Sequence, residues 1–162
     1  MDNLQAIALM MATLTMGLAA GVYLLYMFAI MPGLGRTDDR TFVGSFQQID
    51  TSIVGPFLLV FFLGPFVFAV LAIVVHLGDD NRSALTWIAI GLVLHLVVAA
   101  VTIGVHVPLN DAIKAAGDPS QIDNVAEVRD RFNEARWIQW NAVRSLAATS
   151  AFACLAWALT LS

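Results

Sequence analysis

The sequence predicts an all-α fold: a transmembrane four-helix bundle with an amphipathic helix after the first span and an N-terminally extended fourth helix. Three observations carry this. Four apolar runs, at about residues 4–31, 52–77, 84–107 and 137–161, each exceed the roughly 20 residues that cross a hydrocarbon core as a helix. The composition is 59% hydrophobic and only 12% charged, with a mean hydropathy of +0.80, whereas soluble domains carry about 25% charged residues. The apolar residues do not alternate with a period of two, which excludes a transmembrane barrel. On this reading residues 1–162 form one four-span domain without internal repeats.

The first run follows Met1-Asp2-Asn3 rather than a basic leader and is longer than a signal's apolar core. It therefore reads as a true span. Gly17 and Gly21 give it a small-xxx-small spacing, which serves packing inside the chain or contact with a second copy. Pro32-Gly33 ends the span. From Thr37 to Asp50 the chain is polar, with Phe42, Val43, Phe46 and Ile49 at helical spacing, the pattern of an amphipathic helix lying on the membrane face. Gly55-Pro56 and Gly64-Pro65 interrupt the second run. Each proline removes a helical hydrogen bond, giving either a bend that fits the bundle or a widened cavity near Gly64. Gly78-Asp79-Asp80-Asn81 is a tight turn, and the third run ends at Pro108. Asp118-Pro119 then starts a helix, with Asp as cap and Pro as first residue. Continued to Leu161, it would be about 60 Å long. Glu127 and Arg131 stand four residues apart on it.

The net charge of −4 and the absence of a basic tract exclude nucleic-acid binding. The single cysteine, Cys154, is a packing residue in the fourth run and allows no disulfide within the chain. Basic residues gather in the first loop (Arg36, Arg40) and the third (Lys114, Arg129, Arg131, Arg136), against Arg82 alone in the second. The positive-inside rule then places loops one and three in the cytoplasm and both termini outside.

The few polar residues of the spans concentrate where the third run ends and the fourth begins. Trp137, Trp140 and Arg144 follow Asn133 at spacings of four, three and four, within a helical stripe of roughly 60°. The tryptophans alone read as interfacial anchors. Arg144, two turns inside the apolar run and beside Asn141, requires a partner in the bundle or a route to the headgroups. Facing them are His106, Asn110 and Asp111, and an Asp111–Arg144 pair accounts most simply for both charges. Tyr26, Gln47, Gln48 and Asp50 reach the same side. His95 and His106 share a helix face but lie about 16 Å apart, too far to ligate one metal. A metal centre would have to combine helices, with His106, Asp111 and Glu134 as its candidates. His95 reads as a neutral buried histidine bonded to a neighbouring helix.

Val107-Pro108-Leu109-Asn110-Asp111, followed by Arg136-Trp137-x-x-Trp140-Asn141-x-Val143-Arg144, resembles the anthrone oxygenase-like family of small four-span membrane proteins. The specific part spans Thr102 to Arg144. The resemblance puts Pro108, Asn110, Trp140, Asn141 and Arg144 at the family's motif positions. It implies oxidation of anthrones to anthraquinones, as for a few fungal members, while most bacterial members have no assigned activity. A flat phenolic ligand would stack on Trp137 and Trp140. Arg144 and Asn141 would stabilise its oxyanion, and His106 would remove the proton. Asn110, Asp111, Tyr26 and Gln47 would complete the binding mouth. Such carbanions react with oxygen directly, so no cofactor is strictly required. The competing expectation is a non-catalytic accessory protein that holds a lipid, quinone or protein partner. A channel is disfavoured by the scarcity of ionisable residues in the spans. The expected partners are membrane lipids, a small hydrophobic ligand and a second copy of the chain.

Overall fold

The computed structural model describes residues 3–53, 55, 59–78 and 82–161. The kink expected at Pro56 and residues 79–81 of the expected turn lie outside them. Four helices are long and apolar enough to span a membrane: Asn3–Leu34, Leu59–His76, Ser83–Ala115 and Val125–Leu161. The first packs against the second and fourth, and the third against the second and fourth, which closes a four-helix membrane bundle.

Small residues make that closure possible. The central core joins Ala8, Leu9, Ala12 and Met16 to Ala69, Ala72, Ile88, Ala151, Leu155 and Ala158. Between helices already in lipid the hydrophobic effect adds little, and close van der Waals contact has to hold the bundle. Gly91 shows the approach: a Cβ there would sit 3.1 Å from Leu155 Cγ, and Leu155 is fully buried. Gly17 likewise lies under the ring of Phe152, which is packing within the chain, whereas Gly21 faces open space. Overpacking a filled core costs about 1–3 kcal/mol. Gly91→Leu is therefore expected to lower the thermal midpoint in detergent by several degrees, and Gly21→Leu to leave it unchanged. Equal midpoints for the two variants would contradict this account of the bundle.

At Gly64-Pro65, where a bend or a widened cavity was expected, and at two other prolines, the structure shows a widened helical turn. Pro32, Pro65 and Pro108 each follow a π-helical turn by two residues; the turns are Tyr26–Ile30, Leu59–Leu63 and Thr102–His106. A proline removes one N–H and its ring pushes back the carbonyl four residues earlier. Widening the preceding turn absorbs both effects inside lipid. Pro32 therefore does not end the first helix, which runs on to Leu34, and Pro108 does not break the third, which continues through Val107–Ala115.

The helix expected after the first span is present as Asp39–Ser52. Asp38 caps it, accepting from the Thr41 N–H at 3.1 Å and the Thr41 hydroxyl at 2.6 Å, and these bonds hold its carboxyl below the usual carboxylate range. Its apolar face is covered by protein rather than lipid. Phe42, Val43 and Phe46 are buried with Ile113, Phe132 and Trp137, so the first and third loops lie on one side of the bundle.

The fourth span carries the expected N-terminal extension, from Val125, but it does not start at Asp118 and does not run straight. Asp118 caps only a short turn, Pro119–Gln121. Asn124 caps a separate helix, Val125–Phe132. Asn133 then adopts a left-handed conformation, φ 54°, which Asn tolerates better than most residues. Its Oδ1 accepts from the Arg136 N–H at 3.1 Å, capping Glu134–Leu161. The Glu127–Arg131 pair forms as expected. Arg129 clamps this bend to the first loop through Asp39 at 3.0 Å, Glu134 at 2.9 Å and the Thr37 carbonyl at 3.1 Å.

Candidate functional site

A cavity of about 220 Å³ opens where all four spans meet the surface helix. Each π-helical turn contributes to its wall: Tyr26 from the first, Phe61 and Phe62 from the second, Thr102 and His106 from the third. Widened turns expel side chains and free carbonyls that a regular helix would keep in register. The prolines thus account for why the cavity lies at this level of the bundle. Tyr23, Phe46, Asp50, Asn110, Asp111, Lys114, Trp137 and Arg144 complete its chemically distinctive lining.

Of the residues expected from sequence, His106, Asn110, Asp111, Trp137, Tyr26 and Arg144 all reach this recess. Trp140 does not. It is 40% exposed, because it is rotated about 60° from Trp137 around the helix whereas Arg144 is rotated only about 20°. Its surroundings fit an interfacial anchor. Gln47 is also elsewhere: its Nε2 donates to the carbonyls of Ile113 and Gly117 at 2.8 and 3.0 Å, tying the surface helix to the end of the third span. Asn141 lies behind Arg144 rather than in the wall. Its Nδ2 donates to the Tyr23 carbonyl at 3.2 Å, and its Oδ1 accepts from Arg144 Nε and Nη2 at 3.2 and 2.6 Å.

The expected Asp111–Arg144 pair is not formed. Asp111 is well exposed and pairs with Lys114 at 3.1 Å, and Lys114 also reaches Asp50 at 2.9 Å. A short chain of bonds joins this cluster to the cavity. Trp137 Nε1 donates to Asn110 Oδ1 at 2.9 Å, and Asn110 Nδ2 donates to Asp50 Oδ1 at 2.6 Å. The Asn110 amide is thereby fixed in orientation, and so is the indole plane. The candidate metal ligands His106, Asp111 and Glu134 are not brought together either, since Glu134 turns to Arg129 and Asp111 to Lys114. Among the described residues no three His, Cys, Asp or Glu side chains converge.

His106 is buried, with its ring edge-on to Trp137 at 4.8 Å between centroids. Its Nδ1 lies 3.3 Å from the Val101 carbonyl. A carbonyl only accepts, so Nδ1 carries the proton in the neutral ring and Nε2 is left with its lone pair. Among the described residues Nε2 has no hydrogen-bond partner. His95 behaves as expected: its Nε2 bonds the Phe62 carbonyl at 3.1 Å, pinning the second span's π-helical turn to the third span.

Arg144 is 7% exposed. Besides Asn141 it has Thr102 Oγ1 at 3.5 Å, the Tyr23 ring 4.3 Å from its Cζ and the Trp137 ring at 5.6 Å. The ion pairs among the described residues belong to Lys114, Arg129 and Arg131, and none reaches Arg144. A cation–π contact contributes about 0.5–2 kcal/mol, while withdrawing a charge from water costs several kcal/mol. The ring contacts and one amide oxygen leave the guanidinium short of a full counter-charge.

Tyr23, Phe46, Phe61, Phe62, Thr102 and Lys114 were not anticipated as site residues. Pro65 and Pro108 were the available signal for those in the second and third spans, since each marks the turn before it. Comparison with curated proteins and with solved structures gives no match. A family model described as anthrone oxygenase matches residues 57–154, a stretch that contains Phe61, Phe62, Thr102, His106, Asn110, Trp137, Asn141 and Arg144. The chain belongs to the anthrone oxygenase family.

Proposed function

We propose that the protein takes a flat, hydrophobic phenolic or polycyclic substrate from the bilayer into this cavity and oxidises it with dioxygen. The observation that carries the reading is the convergence of His106, Asn110, Trp137 and Arg144 on one recess, together with the family's name. In this reading His106 Nε2 takes a proton from an activated methylene next to an aromatic carbonyl. Arg144 stabilises the resulting enolate oxygen. Trp137, with Tyr23 and Tyr26, holds the ring plane. Dioxygen then adds to the carbanion carbon. Loss of water leaves a new carbonyl, so each methylene consumes one O₂ and yields one C=O and one H₂O. Asn141 acts through Arg144, whose guanidinium it orients. An apolar cavity of about 150 Å³ takes a single benzene ring, so a site of about 220 Å³ encloses a bicyclic frame. A tricyclic anthrone would project toward the mouth. The positive-inside rule, applied to the basic residues of the first and third loops, supports a cytoplasmic mouth in this reading.

The test is oxygen uptake by the purified protein in detergent with an anthrone as substrate. Stoichiometric uptake and quinone formation above the spontaneous rate are the expected result. Saturable binding of the anthrone without faster oxidation would replace this reading with a holding or accessory function.

A further inference from the structure

We propose that the cavity selects its ligand as a monoanion, because Arg144 stands in the bundle as a cation with no carboxylate partner among the described residues and the ligand supplies the missing charge. The proposal rests on the cavity assigned above but not on any oxidation. Three features lead to it. The guanidinium is buried within a membrane-spanning helix and lines the cavity. The carboxylates nearest the mouth are engaged elsewhere, Asp50 and Asp111 by Lys114 and Asp50 also by Asn110. The bonds to Asn141 and Thr102 engage part of the guanidinium fork and leave N–H groups without an acceptor among the described residues.

A guanidinium held side-on by an amide oxygen keeps its geometry while retaining its full charge. An aspartate at position 141 would have neutralised it. Asparagine there, with its other end tied to the Tyr23 carbonyl, orients the fork and leaves the charge for the cavity. The aromatic wall of Tyr23, Tyr26, Phe61, Phe62 and Trp137 specifies the rest of the ligand: a flat aryl frame bearing one carboxylate or phenolate. Lys114 is the other cation in the lining, but two carboxylates already hold it, so it adds little to selection.

Equilibrium dialysis of the full-length protein in detergent, against empty micelles as background, tests this with 2-naphthoate and its neutral isostere 2-naphthamide. The wild type is expected to bind the naphthoate at least about tenfold more tightly, a difference of roughly 1.4 kcal/mol. Arg144→Gln and Asn141→Asp are both expected to bring the ratio to about one, the first by removing the charge and the second by pairing it internally. Arg131→Gln, which removes an exposed cation outside the cavity, should keep the wild-type ratio. Thermal unfolding identifies any variant that fails to fold, and Arg144→Gln alone suffices if Asn141→Asp does. A wild-type ratio near one, no binding of either probe, or a preference that survives Arg144→Gln would each overturn the proposal. Selective naphthoate binding by a protein that oxidises no anthrone would sink the oxygenase reading and leave this one standing.

Discussion

Replacing Arg144 by Met is expected to lower kcat/KM for an anthrone by about 10²–10³-fold while leaving the fold as stable as before, or more so. Losing one preorganised donor at a developing oxyanion costs rates of that order. The stability side separates this from ordinary core damage. Arg144 is buried with one amide, one hydroxyl and two aromatic rings as partners; Met removes the several kcal/mol that burying the charge costs, which offsets the roughly 1–3 kcal/mol of leaving the Asn141 oxygen without a donor. Activity and thermal midpoint should therefore move in opposite directions, or the midpoint should stay still. Arg144→Lys keeps the charge but loses the fork that Asn141 holds, and should recover only part of the rate. A variant that loses activity in step with a falling midpoint would assign Arg144 to packing.

The second large effect is expected at His106. His106→Gln keeps a donor for the Val101 carbonyl and much of the ring's volume but has no basic nitrogen. General-base catalysis contributes about 10²–10⁴-fold, so kcat should fall within that range. The dissociation constant for the substrate should shift by no more than a few fold, because the aromatic wall is intact. Stopped-flow measurement of enolate formation under nitrogen isolates the step: the proton transfer should slow by the same factor as overall turnover. Unchanged enolate formation in His106→Gln would remove the histidine from the chemistry.

Both predictions depend on features of unequal visibility in the chain. His106, Trp137 and Arg144 were accessible to sequence reasoning because polar groups in an apolar run are rare, and their helical spacing gave them a common side. Asn141 stood out for the same reason, as a partner of Arg144 in stabilising an oxyanion. Its placement behind Arg144 depends on the contact with the Tyr23 carbonyl, which no sequence spacing reveals. Asp111 and Lys114 are three residues apart on one helix, a pairing as local as any. The distant Asp111–Arg144 alternative seemed attractive only while the depth and tilt of the helices were unspecified. The helix expected from Asp118 is interrupted after Gln121 and again at Asn133, where one left-handed residue redirects the chain without leaving a mark in hydropathy.

The number of spans, their membrane character and the polar end of the bundle follow from the sequence itself. These are sums over neighbouring residues: the transfer free energy of about 20 apolar side chains outweighs any detail of their rotation. Which tryptophan faces the cavity, which acids pair with Lys114 rather than with Arg144, and how three prolines open three turns onto one recess were decided by the packed structure. Those outcomes turn on helix rotations of tens of degrees and separations of a few ångströms between segments far apart in the chain. They arise only once all four helices and the surface helix compete for the same space.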